Sequence, residues 1–154
     1  MYSLTLTLHS HVRWLVLIAG AIAVFVASRG WLRRQPWPTS GKVPALLVFL
    51  IAVDLQLLLG VVAYATSPLV GRAHAAMGAA MRDPTLRFWA VEHAFAAVIG
   101  VVLVHVGYAL AKRGDDATAR FRRAALFSGF ALLSFLVATP WPWRAVGRPL
   151  FGGM

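Results

Sequence analysis

Four long apolar runs separated by short polar connections dominate the chain. They cover residues 6–28, 43–66, 87–111 and 124–139. An α-helix rises about 1.5 Å per residue, so roughly 20 apolar residues cross the hydrocarbon of a bilayer. Each run therefore predicts a spanning helix. The fourth is the shortest, but Trp141 and Trp143 follow it directly and suit an interfacial anchor. The pattern predicts an all-α integral membrane four-helix bundle, one domain over residues 1–154, with a connecting loop at 67–86. Within that loop Arg72–Met81 has helical composition interrupted by Gly78. It reads equally as a short interfacial helix or as an ordinary connection.

Composition points the same way. Hydrophobic residues make up 60% and charged residues 13%, with a mean hydropathy of +0.73. A soluble domain has about 45–50% and about 25%, respectively. Cysteine is absent, which removes disulfides, zinc-thiolate sites, iron–sulfur clusters and thiol catalysis. The formal charge of +10 reads as membrane anchoring on so apolar a chain, and no nucleic-acid motif accompanies it.

The basic residues also predict an orientation. Two short connections and their flanks carry nine of them: Arg29, Arg33, Arg34, Lys42, Lys112, Arg113, Arg120, Arg122 and Arg123. The opposite side carries six: Arg13, Arg72, Arg82, Arg87, Arg144 and Arg148. That bias favours cytoplasmic short loops and both termini on the outer, periplasmic side of a bacterial inner membrane. A cleaved signal peptide would carry its basic residues before the apolar run; here the basic cluster follows it, so the first helix reads as retained.

Ionisable residues inside hydrocarbon are costly and point to function. The first run holds His9 and His11, the second Asp54 and Gln56, and the third Glu92, His93 and His105. The first and third helices run parallel, and His9 and His93 fall at similar depths, roughly 5–9 Å in at helical rise. Facing imidazoles on parallel helices are what a bis-histidine haem b needs. His9 and His11 lie about 200° apart on a helix, so only one faces the bundle. Gly20 shares the His9 face, and Gly100 and Gly107 lie near the His93 face; glycine admits close approach of a flat cofactor or another helix. This favours His9 with His93, leaving His11 as the alternative ligand. Haem propionates would meet Arg13 and Arg87, with Arg72 and Arg82 in the covering loop. Glu92 is a candidate acceptor for a quinol proton, or an ion-pair partner of Arg13 or Arg87. His105 lies in the inner half and is within reach of Asp54, as a packing pair or a proton-handling one. The chain offers no obvious second axial ligand for another haem at His105. His74, with Met77 and Met81 or with His9 and His11, could instead hold copper.

Several segments carry a resemblance. LHSHVRWLVLI (8–18), DLQLLLGVVAY (54–64), MRDPTLRFWAVEH (81–93) and PWPWR (140–144) resemble a family of small bacterial four-span proteins labelled cytochrome b-like. The matching positions are His9, Ser10, Arg13 and Trp14, then Arg87, Phe88, Glu92 and His93. Ala94 departs from the proline that often follows the third-span histidine in that pattern, and His11 occupies a variable position. The resemblance implies a haem-binding membrane protein with the same histidine pair.

The sequence thus predicts a membrane haem b electron carrier with one haem per chain. It would work between quinol in the lipid bilayer and a redox partner protein or larger respiratory complex, as a quinol-linked oxidoreductase component. No catalytic triad, P-loop or dinucleotide fingerprint points elsewhere. Three other classes stay open: a cofactor-free structural subunit, a copper-handling protein using His9, His11 and His74, and a proton-conducting protein using Asp54, Glu92 and His105.

Overall fold

The computed structural model describes residues 2–150. It is all-helical, with no strand among the described residues. Four helices are long and apolar enough to cross a membrane: α1 (Tyr2–Leu32), α2 (Pro44–Thr66), the composite Pro84–Lys112, and α7 (Ala117–Ala138). The composite helix consists of α5 (Pro84–Arg87), a π-helical turn (Phe88–Glu92) and α6 (His93–Lys112). Between α2 and α5 lie α3 (Pro68–Ala75) and α4 (Met77–Ala80). The predicted 67–86 loop is thus mostly short helices. The fourth spanning helix begins seven residues before the apolar run, because Asp116 caps it by accepting from Ala119 N–H at 2.8 Å.

The other helix boundaries have similarly local causes. Pro44 opens α2 at a position where no backbone donor is needed. Ser67 ends α2 and caps α3, its hydroxyl accepting from Val70 N–H at 3.3 Å, with Pro68 next. Asp83 caps α5 by accepting from Thr85 and Leu86 N–H, both at 2.8 Å, with Pro84 next. These Ser-Pro and Asp-Pro steps turn the chain sharply at one end of the bundle.

Extensive packing joins α1 to α2, α1 to α7 and α6 to α7; α2 and α6 meet more loosely. The core is built of small residues, including Ala23, Ala27, Ala52 and Ala131, around Phe49. Phe49 meets Phe135 edge-on, with ring centres 6.3 Å apart. Small side chains let the backbones approach, the usual basis of helix association where lipid removes the hydrophobic drive. Large apolar residues meanwhile point outward, among them Ile18, Phe25, Ile51, Leu58, Phe95 and Phe130. An apolar exterior over four spanning-length helices marks a multi-pass membrane protein.

Candidate functional site

One cavity of about 370 Å³ lies between the long helices, towards the end where α1 and the composite helix begin. Its walls are mostly apolar. His9 from α1 and His93 from α6 enter it together, ring centres 6.2 Å apart and planes inclined at 72°. The π-helical turn places an extra residue in the turn before His93, and such turns often accompany functional sites.

The end of α7 explains the hydrogen bond that holds His93. Its Nδ1 lies 2.8 Å from the Ala138 carbonyl oxygen. A carbonyl only accepts, so Nδ1 donates, and Nε2 keeps its lone pair while the ring is neutral. In a continuing helix the Ala138 carbonyl would take the N–H of residue 142, but that residue is proline. Pro140 likewise frees the Leu136 carbonyl, which accepts from Trp141 Nε1–H at 2.9 Å. The Pro-Trp-Pro tail therefore stops α7 and gives one of the released carbonyls to His93.

The tail then folds back over the cavity. Arg144 N–H bonds Trp141 O at 2.9 Å, and Gly147 N–H bonds Arg144 O at 2.8 Å. A Cβ at Gly147 would collide with the Trp141 carbonyl, so this turn requires glycine. It delivers Arg148 to the cavity wall, its guanidinium 4.1 Å from the Trp89 ring centre. It also brings the Leu150 carbonyl to Arg13 Nη2 at 2.8 Å and to Trp14 Nε1 at 3.0 Å. Arg13 and Arg148 are thus the two cations on the cavity.

His9 is set by α2. Its Nε2 is 3.2 Å from Gln56 Nε2, and a Cβ added at Gly60 would come within 3.1 Å of its Cε1. His9 Nδ1, Gln56 Oε1 and Arg13 Nε are buried without hydrogen-bond partners among the described residues. Three such atoms around one cavity are unusual, because an unmet buried polar group costs about 1–3 kcal/mol. They fit a site that holds a polar or metal-containing group. The His9 and His93 rings stand edge-on with centres 6.2 Å apart, and imidazole nitrogens are the donors that bind haem iron.

The remaining sequence candidates lie elsewhere. Gly20 does not line the cavity; its Cβ position meets Phe49 at 3.0 Å and Leu132 at 3.1 Å. Gly100 faces Phe135, with a Cβ position 2.6 Å from the ring. Both serve helix packing. Arg87 and Glu92 are not buried partners of the histidines. They form a half-exposed ion pair at 2.6 Å, and Arg87 also donates to Met81 O at 3.2 Å. This pair, the ion-pair alternative for Glu92, borders a separate shallow depression beside Arg144. His11 is exposed, its Nδ1 2.8 Å from Thr7 O. His74 bonds the Tyr64 hydroxyl at 3.0 Å, and that hydroxyl donates to Ala90 O at 2.7 Å. The three histidines of the copper reading are therefore separate. Among the described residues no group of three or more His, Asp or Glu side chains converges. Asp54 is half-exposed rather than buried and pairs with His105 at 3.2 Å.

Gln56, Gly60 and Arg148 complete the site without having been singled out for it. Gln56 had a signal, being an amide in the middle of an apolar run; Arg148 had only its charge. No protein-family model, curated protein or solved structure matches the chain.

Proposed function

We propose that this chain is a membrane haem b protein that carries electrons. His9 and His93 would ligate one haem iron, the His9 Nε2 contact with Gln56 Nε2 giving way to it, and Arg13 and Arg148 would receive its propionates. In this reading Arg148, which lines the cavity, has the role expected of Arg87, which does not. The observation that carries this reading is the His9–His93 pair in an apolar cavity bordered by two arginines. When bound, the haem supplies reversible one-electron chemistry. The protein's part is to fix the His93 tautomer through Ala138 O, to shape the apolar walls and to hold two cations against anionic groups. The cavity volume falls within the roughly 300–1,000 Å³ of small-molecule sites. It also opens between α2 and α6, so an occupant is not confined to the enclosed space.

In this reading the electron donor is quinol in the bilayer. The acceptor is a redox partner protein on the outer side, or a larger respiratory complex of which this chain is one subunit. The basic bias of the short loops supports both termini facing outward in a bacterial cytoplasmic membrane. Reporter fusions in loop 33–43 should then read cytoplasmic, and fusions near His74 outer; the reverse pattern overturns that orientation.

Protein purified in mild detergent from a haem-replete host is expected to show a reduced b-type spectrum with about one haem per chain. A colourless, folded protein would refute the haem reading. The tail offers a finer check. Replacing both Pro140 and Pro142 with alanine lets α7 continue and reclaim the Ala138 carbonyl. Loss of such a supporting contact typically costs about 10–100-fold in metal affinity, and haem affinity should fall by that order. Unchanged haem affinity would show that the tail does not position His93.

A further inference from the structure

The Asp54–His105 pair is not explained by the haem reading. Both side chains are 46% exposed, and they lie on the outer surface of α2 and α6. Their neighbours there, including Ile51, Leu55, Leu58, Val102 and Val106, are exposed and apolar. The pair therefore faces hydrocarbon. At helical rise Asp54 is roughly 15 Å from the start of α2 and His105 roughly 10 Å from the end of α6. Ionisable residues at such depth almost always turn towards the bundle interior or a water-filled cavity, and this pair does neither.

The position on the seam is informative. Val53 and Val101 line the histidine cavity. Asp54 follows Val53 directly, and His105 Nδ1 lies 2.9 Å from the Val101 carbonyl. The pair thus sits at the inner end of the cavity, on the loosely packed α2–α6 side. Further along this opening the lining residues Val61 and Val98 are 58% and 51% exposed. The cavity and the pair share one lateral face towards lipid.

Both imidazole nitrogens are engaged. Nδ1 donates to Val101 O, and Nε2 meets Asp54 Oδ1. The second carboxylate oxygen of Asp54 has no partner among the described residues. It is an acceptor presented to the bilayer, and a molecule that reaches it must be lipid-soluble and carry an O–H or N–H donor. A neighbouring electron-transfer site narrows that class to a hydroquinone. We propose that Asp54 and His105 form the docking site for a hydroquinone headgroup, with the quinol hydroxyl donating to Asp54 and the ring lying against the apolar α2–α6 face. The choice of a hydroquinone rests on the haem reading, whereas the accepting site rests on the pair's geometry. The assignment moves the quinol contact from Glu92, which is tied to Arg87 outside the cavity, to the α2–α6 seam.

The test uses full-length protein in lipid nanodiscs and a photoreactive azidoquinol, with labelled peptides mapped by mass spectrometry. Labelling is expected around residues 51–58 and 98–109, and excess decylubiquinol should compete it away. Asp54→Leu should reduce competable labelling several-fold, as loss of one hydrogen bond implies. Leu58→Trp should reduce it as well. Leu58 is 66% exposed, one turn from Asp54, so the indole obstructs the face while Asp54 and His105 themselves are kept. Competable labelling confined to other segments, or unchanged in folded Asp54→Leu and in Leu58→Trp, overturns the proposal. Leu58→Trp alone decides if Asp54→Leu does not fold. The two readings separate cleanly: a colourless protein that labels at the pair keeps this site and loses the haem. A haem-replete protein that does not label there loses this site alone.

Discussion

His93→Ala is expected to remove six-coordinate low-spin haem altogether. Purified variant should carry less than about one hundredth of the wild-type haem affinity, because even a residue that only supports a metal ligand is worth about 10–100-fold. His9→Ala should have the same spectroscopic outcome. His11→Ala should leave the spectrum unchanged, since its ring is exposed and turned to Thr7 O. Redox difference spectra and pyridine haemochrome assays of the three variants distinguish the cases. Equal loss in His9→Ala and His11→Ala would mean that α1 turns on binding haem. Full haem retention in folded His93→Ala would remove the reading itself. The size of the expected loss follows from the site's construction. His93 is anchored by a carbonyl released at the end of α7, and among the described residues the cavity lining holds no histidine besides His9 and no methionine to replace it.

The spanning helices were legible because a bilayer asks for one simple property, about 20 consecutive apolar residues. Helix ends were less so. The early start of α7 depends on the Asp116 cap, and hydropathy does not register a cap. Helix phase was enough to turn His9 and His11 to different sides of α1, because a 100° step per residue holds in a regular helix. The Arg87–Glu92 ion pair was legible as one of two roles for Glu92; the π-helical turn over Phe88–Glu92, which changes the angular step, was not. Gly20 and Gly100 share a face with the histidines by phase, yet bulky residues of other helices, Phe49, Leu132 and Phe135, occupy that space. Periodicity reports which way a residue points but not what it meets. Arg148 was hidden for another reason. Its place depends on two prolines that end α7 and on a glycine turn at Gly147, all local chain-reversal features with no hydropathy signal. Asp54 and His105 were legible as neighbours from depth alone. Their exposure to lipid was not, because it depends on the loose fit of α2 against α6.

Gly100→Val should damage stability and the site together. The added Cβ would stand 2.6 Å from the Phe135 ring, closer than side-chain atoms pack, so Phe135 must move. It cannot move freely, because its other side meets Phe49 at the centre of the core, ring centres 6.3 Å apart. Overpacking of a filled core costs about 1–3 kcal/mol, and valine should reach the upper part of that range here. Phe135 also lines the histidine cavity, so its displacement reshapes the wall beside His93. Thermal unfolding in detergent should therefore begin at lower temperature, and haem content should fall although no ligand has been touched. Gly129→Ala is the matched control. Nothing lies within 4 Å of its Cβ position in the interior of α7, so its stability should not fall and should gain about 0.5–1 kcal/mol from helix propensity. If Gly100→Val unfolds and loads haem like Gly129→Ala, the contact of α6 with α7 at Phe135 is looser than the structure has it. The cavity wall would then not depend on that glycine.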